Sequence, residues 1–345
     1  MDKILLGMSG GVDSTVAAYI LKEQGYHVVG ATLDLLPESD GSIVESARKA
    51  AAQLGIEHHV LDMKDIFKRS VIDNFLTEYL HGRTPSPCVE CNRCIKFGAM
   101  FDAAEEMGID LIATGHYAKV VPDGGRYLLK KADCTEKDQS YMLYTLSQEQ
   151  LKKTVFPLQS LTKEQVRDIA RKAGLDAADR GDSQEICFIE DNDYIRFLTD
   201  NADKLPPSGE FVDTKGNILG KHQGIHRYTV GQRKGLGIAF GKPMFVVKVD
   251  AKSNRVILGE AGEEYSKSLY AVCTNFIPFD RPAEPFEAEC KVRYGNKTYK
   301  GIVYPADGGV RVEFADKARA VTPGQSVVFY NGDTVIGGGI IEKAQ

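Results

Sequence analysis

The chain has 345 residues, 43 Lys plus Arg against 48 Asp plus Glu, a net charge of −5, and is 43% hydrophobic and 26% charged. This globular mixture is long enough for two or three domains, and it excludes a globally basic nucleic-acid binder, so any such surface has to be a local patch. No apolar run is long enough to span a bilayer, which sets a membrane role aside. Met1-Asp2-Lys3 leads straight into a strand without a signal-peptide pattern, which points to the cytoplasm. There are 7 cysteines, and in that compartment thiols are more often catalytic or metal-binding than disulfide-forming.

The first apolar run, Ile4-Leu5-Leu6, reads as a strand. It is followed by Gly7-Met8-Ser9-Gly10-Gly11-Val12-Asp13-Ser14 and then by a helical pattern from Thr15, with Val16, Ala17, Ile20 and Leu21 on one face and Gly25 to stop it. Glycines allow a tight bend and close approach to a ligand, and the free N–H groups at a helix start point toward an anion. The loop is not a Walker A sequence, because no Gly-Lys-Ser/Thr follows. His27–Leu33 reads as a second strand, Ser42–Leu54 as a helix, His58–Leu61 as a short strand and Asp65–Leu80 as a helix. Asp110–Ala113 is a further strand, ending in Thr114-Gly115-His116. Alternating strands and helices predict a doubly wound parallel α/β sheet, with ligands at the carboxyl ends of its strands. Thr162-Lys163-Glu164-Gln165 is a capping box opening a helix with Val166, Ile169, Ala170 and Ala173 on one face. After Pro206-Pro207-Ser208-Gly209 the chain turns to short β-type runs such as Phe245–Val249, Arg255–Leu258, Val310–Phe314 and Val327–Tyr330. The expected organisation is an α/β domain over 1–203, a small β-rich domain over 204–264 and a β-barrel over 265–345.

Cys88, Cys91 and Cys94 form C-x2-C-x2-C after Thr84-Pro85-Ser86-Pro87. The prolines are expected to keep this stretch an exposed loop that enters a helix near Asn92, where a helix start lowers a thiol's pKa. Three readings stand side by side. A structural zinc site needs a fourth ligand, and no second C-x-x-C exists. The thiols can be inert packing groups. They can also form a functional thiol or iron–sulfur site with Cys187 as the distant partner. Cys134, Cys273 and Cys290 read as small packing residues.

Ser9-Gly10-Gly11-Val12-Asp13-Ser14 resembles the pyrophosphate loop of the ATP-pyrophosphatase (PP-loop) superfamily, whose members adenylate a carbonyl oxygen. The whole set is similar to the bacterial tRNA-specific 2-thiouridylase family: Gly7–Ser14, Gly82-Arg83-Thr84-Pro85, Cys91-Asn92 with Ile95-Lys96-Phe97, Ala113–Ala118, Lys137–Tyr141, Asp182–Ile189 and Tyr228–Gly237. The resemblance implies ATP-dependent thiolation of the wobble uridine of tRNA. It places the ATP phosphates on Gly7, Met8, Ser9, Gly10, Gly11, Val12, Asp13 and Ser14, and the adenosine on Leu33 and Gly115. It makes Cys91 the nucleophile and Cys187 the persulfide carrier, with Ser86, Pro87 and Cys88 at the target base. His116, Lys137, Asp138, Gln139, Arg293, Tyr294 and Gln325 become tRNA contacts. Two departures stand out. Leu35–Ser42 is short and has no cysteine, and position 88 is Cys where some members carry Asp.

The implied chemistry fits the residue types. The uracil C2 oxygen is a poor leaving group until ATP adenylates it, with Mg2+ neutralising the phosphates and Asp13 a candidate to assist that ion. Sulfur then comes either from a Cys187 persulfide resolved by Cys91, or from a 4Fe–4S cluster on Cys88, Cys91 and Cys187. The donor is a persulfide relay or sulfide. Arg233 and Lys234, and the basic stretch Lys291, Arg293, Tyr294, Lys297 and Lys300, suit RNA phosphates and bases. The rival readings are a PP-loop synthetase or amidotransferase acting on a small molecule, and a non-catalytic iron–sulfur or zinc RNA-binding module.

Overall fold

The computed structural model describes residues 2–37, 41–179, 186–189, 191–238, 241–295 and 297–345. Residues 182–185 of the Asp182–Ile189 motif and residues 38–40 of the short Leu35–Ser42 segment lie outside the described residues. The chain divides into two compact units. The first is Met1–Val71, Cys88–Phe188 and Asp333–Val335, and the second is Ile72–Pro87, Ile189–Gly332 and Ile336–Gln345.

The first unit is built on five strands: β1 (Lys3–Gly7), β2 (His27–Asp34), β3 (Glu57–Asp62), β4 (Leu111–Ala113) and β5 (Thr154–Val155). They run parallel in the order β3-β2-β1-β4-β5. Parallel strands are covered on both faces, which explains why β1 is an unbroken apolar run with Ile4, Leu5 and Leu6 fully buried. Helices α1 (Val12–Glu23), α2 (Ser42–Leu54) and α3 (Lys163–Lys172) supply the cover. Val12, Val16 and Ala17 of α1 share one core with Ala47 and Leu54 of α2 and with Val166 and Ala170 of α3. The strand order reverses at β1, between β2 and β4, so the crevice beyond β1 and β4 is the switch point where such sheets bind ligands.

Two local expectations are corrected, and a hairpin the sequence reading left unassigned is added. Helix α1 begins at Val12, three residues before Thr15, with extended Gly11 as its N-cap. Apolar periodicity misses this because the motif residues themselves form the first turn. The proline segment does not stay a loop up to Asn92. Pro87 opens an α-helix, Pro87–Cys91, that continues as a π-helical turn over Asn92–Ala99. A proline loses nothing at a first helical position, where its missing N–H would have had no partner. Residues 118–131 do not extend the parallel pattern. They form an antiparallel hairpin, Ala118–Asp123 with Arg126–Lys131, turned at Gly124 and Gly125 with φ of 53° and 86°.

The second unit is β-rich. Phe245–Asp250, Arg255–Gly259, Gly209–Asp213 and Ile218–His222 form a four-stranded sheet around Phe211, Val246, Val256 and Leu258. Tyr265–Phe276, Gly309–Arg319, Tyr299–Ala306, Phe286–Lys291, Ser326–Asn331 and Thr334–Ala344 follow one another in a six-stranded antiparallel barrel. Pairing of the first with the last, from Leu269–Ala344 to Phe276–Gly337, closes it. Cys290 packs in the barrel core as expected, whereas Cys273 is exposed.

Candidate active site

The loop after β1 is pinned from several sides. Met8 N–H donates to the Ala31 carbonyl at 2.7 Å, and the Thr32 hydroxyl donates to the Met8 carbonyl at 2.9 Å. Ser9 N–H donates to Ser14 Oγ at 3.2 Å, while the Ser14 and Thr15 hydroxyls both donate to the Gly11 carbonyl. Gly10 has φ of 70°, and a Cβ there would lie 2.7 Å from the backbone of Ser46 and Ala47. A Cβ on Gly115 would lie 3.1 Å from Asp13 C and Ser14 N, so the end of β4 rides directly over the first turn of α1. Gly11 has no side chain to cap that turn. A glycine-rich loop of this kind at a helix start suits an anion. Leu33 is half-buried at the end of β2, beside the same crevice.

Asp13 sits in that first turn. Lys163 Nζ donates to both of its carboxylate oxygens, at 2.8 and 2.7 Å, and Tyr117 Oη donates to Oδ1 at 2.7 Å. Lys163 is the first residue of α3. The capping box, with Thr162 accepting from Gln165 N–H and the Gln165 side chain accepting from Thr162 N–H, fixes where that helix begins. Sequence reasoning recognised the capping box but not the partner of its second residue, because the pair joins two segments far apart in the chain.

The thiols gather in the first unit. Cys91 is buried, Cys88 and Cys94 are half-buried, and Cys187 is exposed as a residue. Phe188, next to Cys187, is held edge-on against Phe67 at 5.8 Å. Burial pushes the Cys91 thiol up to about 12, with the neighbouring thiols of Cys187, Cys88 and Cys94 adding to the rise. Cys88 and Cys187 are also raised, chiefly because their sulfur atoms are desolvated. The expected depression by a helix start is therefore overturned, since desolvation outweighs every favourable charge here. Among the described residues one charge opposes it at all three. The Lys96 ammonium acts on Cys88, Cys91 and Cys187 alike, and on His116. Sequence reasoning named Lys96 only as part of a match and missed its charge acting on these thiols. Cys94 turns toward Glu90, its sulfur 4.0 Å from Oε2. Among the described residues no three His, Cys, Asp or Glu side chains are arranged to share a metal ion.

The remaining expected residues fall into two groups. Some are turned inward. His116 is buried beside Phe97 and Phe156 with Nδ1 2.7 Å from the Thr114 hydroxyl, and burial and Lys96 hold its pKa well below the usual histidine range. Asp138 is buried and accepts from Ala132 N–H, Ser140 N–H and the Ser140 hydroxyl. Gln139 accepts Tyr117 N–H at 3.1 Å, and Lys137 beside it is half-buried. The other group lies in the second unit. Arg293 and Tyr294 are exposed on the turn after Phe286–Lys291, where Arg293 donates to the Ala320 carbonyl at 2.9 Å. Lys291, expected on the same basic surface, is instead buried with its ammonium over the Tyr330 ring. Gln325 donates to the Thr84 and Pro85 carbonyls, just ahead of Ser86 and Pro87. A concavity of about 500 Å³ has Lys221, Arg227, Gln232 and Arg293 in its wall, and a neighbouring one of about 280 Å³ shares Arg293 and adds Tyr294 and Lys297.

Comparison with known proteins covers all of these parts. Residues 2–191 match the family described as tRNA methyl transferase HUP domain, residues 196–260 the tRNA methyl transferase PRC-barrel domain, and residues 266–341 the aminomethyltransferase beta-barrel domain. The chain is 55% identical to the tRNA-specific 2-thiouridylase MnmA of Acetivibrio thermocellus, over 99% of both chains. It is 49% identical to the protein of that name from Clostridium acetobutylicum, over 99% of both chains. The corresponding figure for Clostridioides difficile is 48%, over 99% of this chain and 98% of the relative.

Proposed function

The chain belongs to the tRNA-specific 2-thiouridylase family, and on that premise we propose that it thiolates C2 of the wobble uridine of tRNA, with ATP activating the oxygen and Cys187 and Cys91 handling the sulfur. What supports the residue assignment is that Cys88, Cys91 and Cys187 lie in the same compact unit as the Ser9–Ser14 loop, with Cys91 buried. Likeness over the full length leaves the small-molecule synthetase reading without support, because that chemistry has no use for the thiol set.

The C2 oxygen attacks the α-phosphorus of ATP, and pyrophosphate leaves into the Ser9–Ser14 cradle, where the N–H groups of the α1 start stabilise its charge. The outer sulfur of a Cys187 persulfide, loaded by a persulfide donor, then attacks C2, and AMP departs with the original oxygen. The Cys91 thiolate attacks the Cys187 sulfur. This frees the C2 thiocarbonyl and leaves a Cys91–Cys187 disulfide, which a thiol reductant returns to two thiols. In the other route Cys88, Cys91 and Cys187 would hold a 4Fe–4S cluster, which would supply the sulfur in place of the persulfide. Asp13 does not fit a magnesium ligand as it stands, because both its oxygens take the Lys163 ammonium. The ion accompanying ATP contributes phosphate neutralisation and no step derived from this chain.

The RNA side of the reading rests on the second unit. Lys221, Arg227 and Arg293 line one basic concavity, and Arg293, Tyr294 and Lys297 the next. Cations of this kind position a phosphate backbone, and an exposed tyrosine offers a stacking face for an unpaired base. Gln325 acts by holding the Thr84-Pro85 backbone. His116, Asp138 and Gln139 act from inside, by fixing the strand end and Tyr117.

ATP–pyrophosphate exchange with and without tRNA tests this function. Exchange that requires tRNA is expected. Exchange of equal rate without tRNA, stimulated instead by an amine or a small carboxylate, overturns it.

A further inference from the structure

The loop that is to receive a triphosphate carries one ionisable side chain between Gly7 and Ser14, and that side chain is Asp13. A carboxylate beside a polyanion opposes its binding. The structure answers this with Lys163, whose ammonium lies 2.8 and 2.7 Å from the two carboxylate oxygens. The lysine is not there by accident of a flexible surface chain. Its side chain is 16% exposed, and its backbone is the first residue of a capped helix. That helix is locked to α1 through Val166 and Ala170 against Val12 and Val16. Tyr117, from the segment after β4, closes the arrangement on Oδ1. Two segments distant in sequence from Asp13 thus converge on its carboxylate.

We infer that Lys163 is a positioning residue for ATP. It neutralises Asp13, fixes the first turn of α1, and places a permanent positive charge beside the phosphates when the nucleotide is bound. The inference rests on the reading of this loop as an ATP site but not on the thiolation chemistry. Its nearest competitor is a purely structural tie between α1 and α3. The two differ in what the partner substitution does. If the pair is only a tie, breaking it from either side has the same effect. If the ammonium serves ATP, losing the lysine is worse than losing the aspartate.

The test is equilibrium binding of MgATP by calorimetry, without tRNA, to wild type, Lys163→Met, Lys163→Arg and Asp13→Asn. Circular dichroism melts on the same samples report the fold. The expected result is a dissociation constant raised at least tenfold in Lys163→Met, within threefold of wild type in Lys163→Arg, and raised clearly less in Asp13→Asn than in Lys163→Met. The salt dependence of ATP affinity also becomes shallower in Lys163→Met, as it does when a cation is removed from an anion site. Equal losses in Lys163→Met and Asp13→Asn overturn the inference in favour of a tie, and a larger loss in Asp13→Asn overturns it in favour of a magnesium ligand. If Lys163→Met does not fold, Lys163→Gln takes its place with the same expectation. Wild type that does not bind MgATP overturns the ATP reading itself, a result distinct from any of these.

Discussion

The side-chain amide of Gln325 donates to the Pro85 carbonyl at 2.7 Å and to the Thr84 carbonyl at 3.2 Å. Gly324 beside it has φ of 92°, and a Cβ there would come within 2.8 Å of the Thr84 carbonyl oxygen. The Thr84 hydroxyl also lies 3.0 Å from that of Thr229, in the Tyr228–Gly237 motif. The stretch leading to Ser86 and Pro87 is thus held by the barrel and by the Tyr228–Gly237 segment of the same unit.

Replacing Gln325 by Ala removes two hydrogen bonds, each worth about 1 kcal/mol, and frees that stretch. Thiolation in Gln325→Ala is expected to fall roughly tenfold in kcat/KM for tRNA. ATP binding is expected to stay at the wild-type level. Steady-state assays varying each substrate check this.

The raised Cys91 thiol sets a pH dependence. With the pKa pushed up to about 12, the thiolate fraction grows about tenfold for each pH unit across the neutral and mildly alkaline range. Single-turnover release of thiolated tRNA is expected to accelerate with pH from 7 to 9 without a plateau. A plateau below pH 8 would show a different group in control.

Among the described residues Lys96 is the one cation that lowers all three thiols at once. Lys96→Met is expected to slow thiolation at neutral pH by about tenfold or more and to shift the pH profile to the alkaline side, while MgATP affinity is unchanged. Rate–pH profiles of the two proteins, side by side, decide it.

Gly10→Ala asks whether the loop geometry is obligatory. An alanine at φ of 70° costs about 1–2 kcal/mol from backbone strain alone, and its Cβ meets backbone atoms of Ser46 and Ala47 that cannot swing aside. A lowered melting temperature together with lost ATP binding is expected, by calorimetry of both.

Arg293 lies in the wall of both basic concavities. Arg293→Ala is expected to weaken tRNA binding and to reduce the slope of log K against log salt by about 0.7–0.9, the mark of one phosphate contact. Filter binding over a salt series measures it.

Much of this arrangement is legible in the sequence, for reasons that differ from place to place. The glycine and hydroxyl pattern of residues 7–14 is local, and so is the chemistry it dictates. The capping box at Thr162 is equally local, and its helix starts where expected. What escapes is contact between distant segments. Nothing near Lys163 announces Asp13. Pro87 shows a second kind of loss. A proline signals both a helix break and a helix start, and the choice depends on the packing of Val89 and Cys91, both buried. The thiol pKa values show a third, because burial sets their sign and burial is a property of the fold.

The most direct test of the central claim is nucleoside mass spectrometry on tRNA incubated with the protein, ATP, a persulfide donor and a thiol reductant. The samples compared are wild type, Cys187→Ser and Cys91→Ser. The account predicts 2-thiouridine with wild type and none with Cys187→Ser. With Cys91→Ser incubated without the reductant it predicts no released product but a tRNA held on Cys187 through a disulfide, which reductant added afterwards cleaves. Full 2-thiouridine formation by Cys187→Ser would contradict it, because the sulfur would then have reached the base without that cysteine.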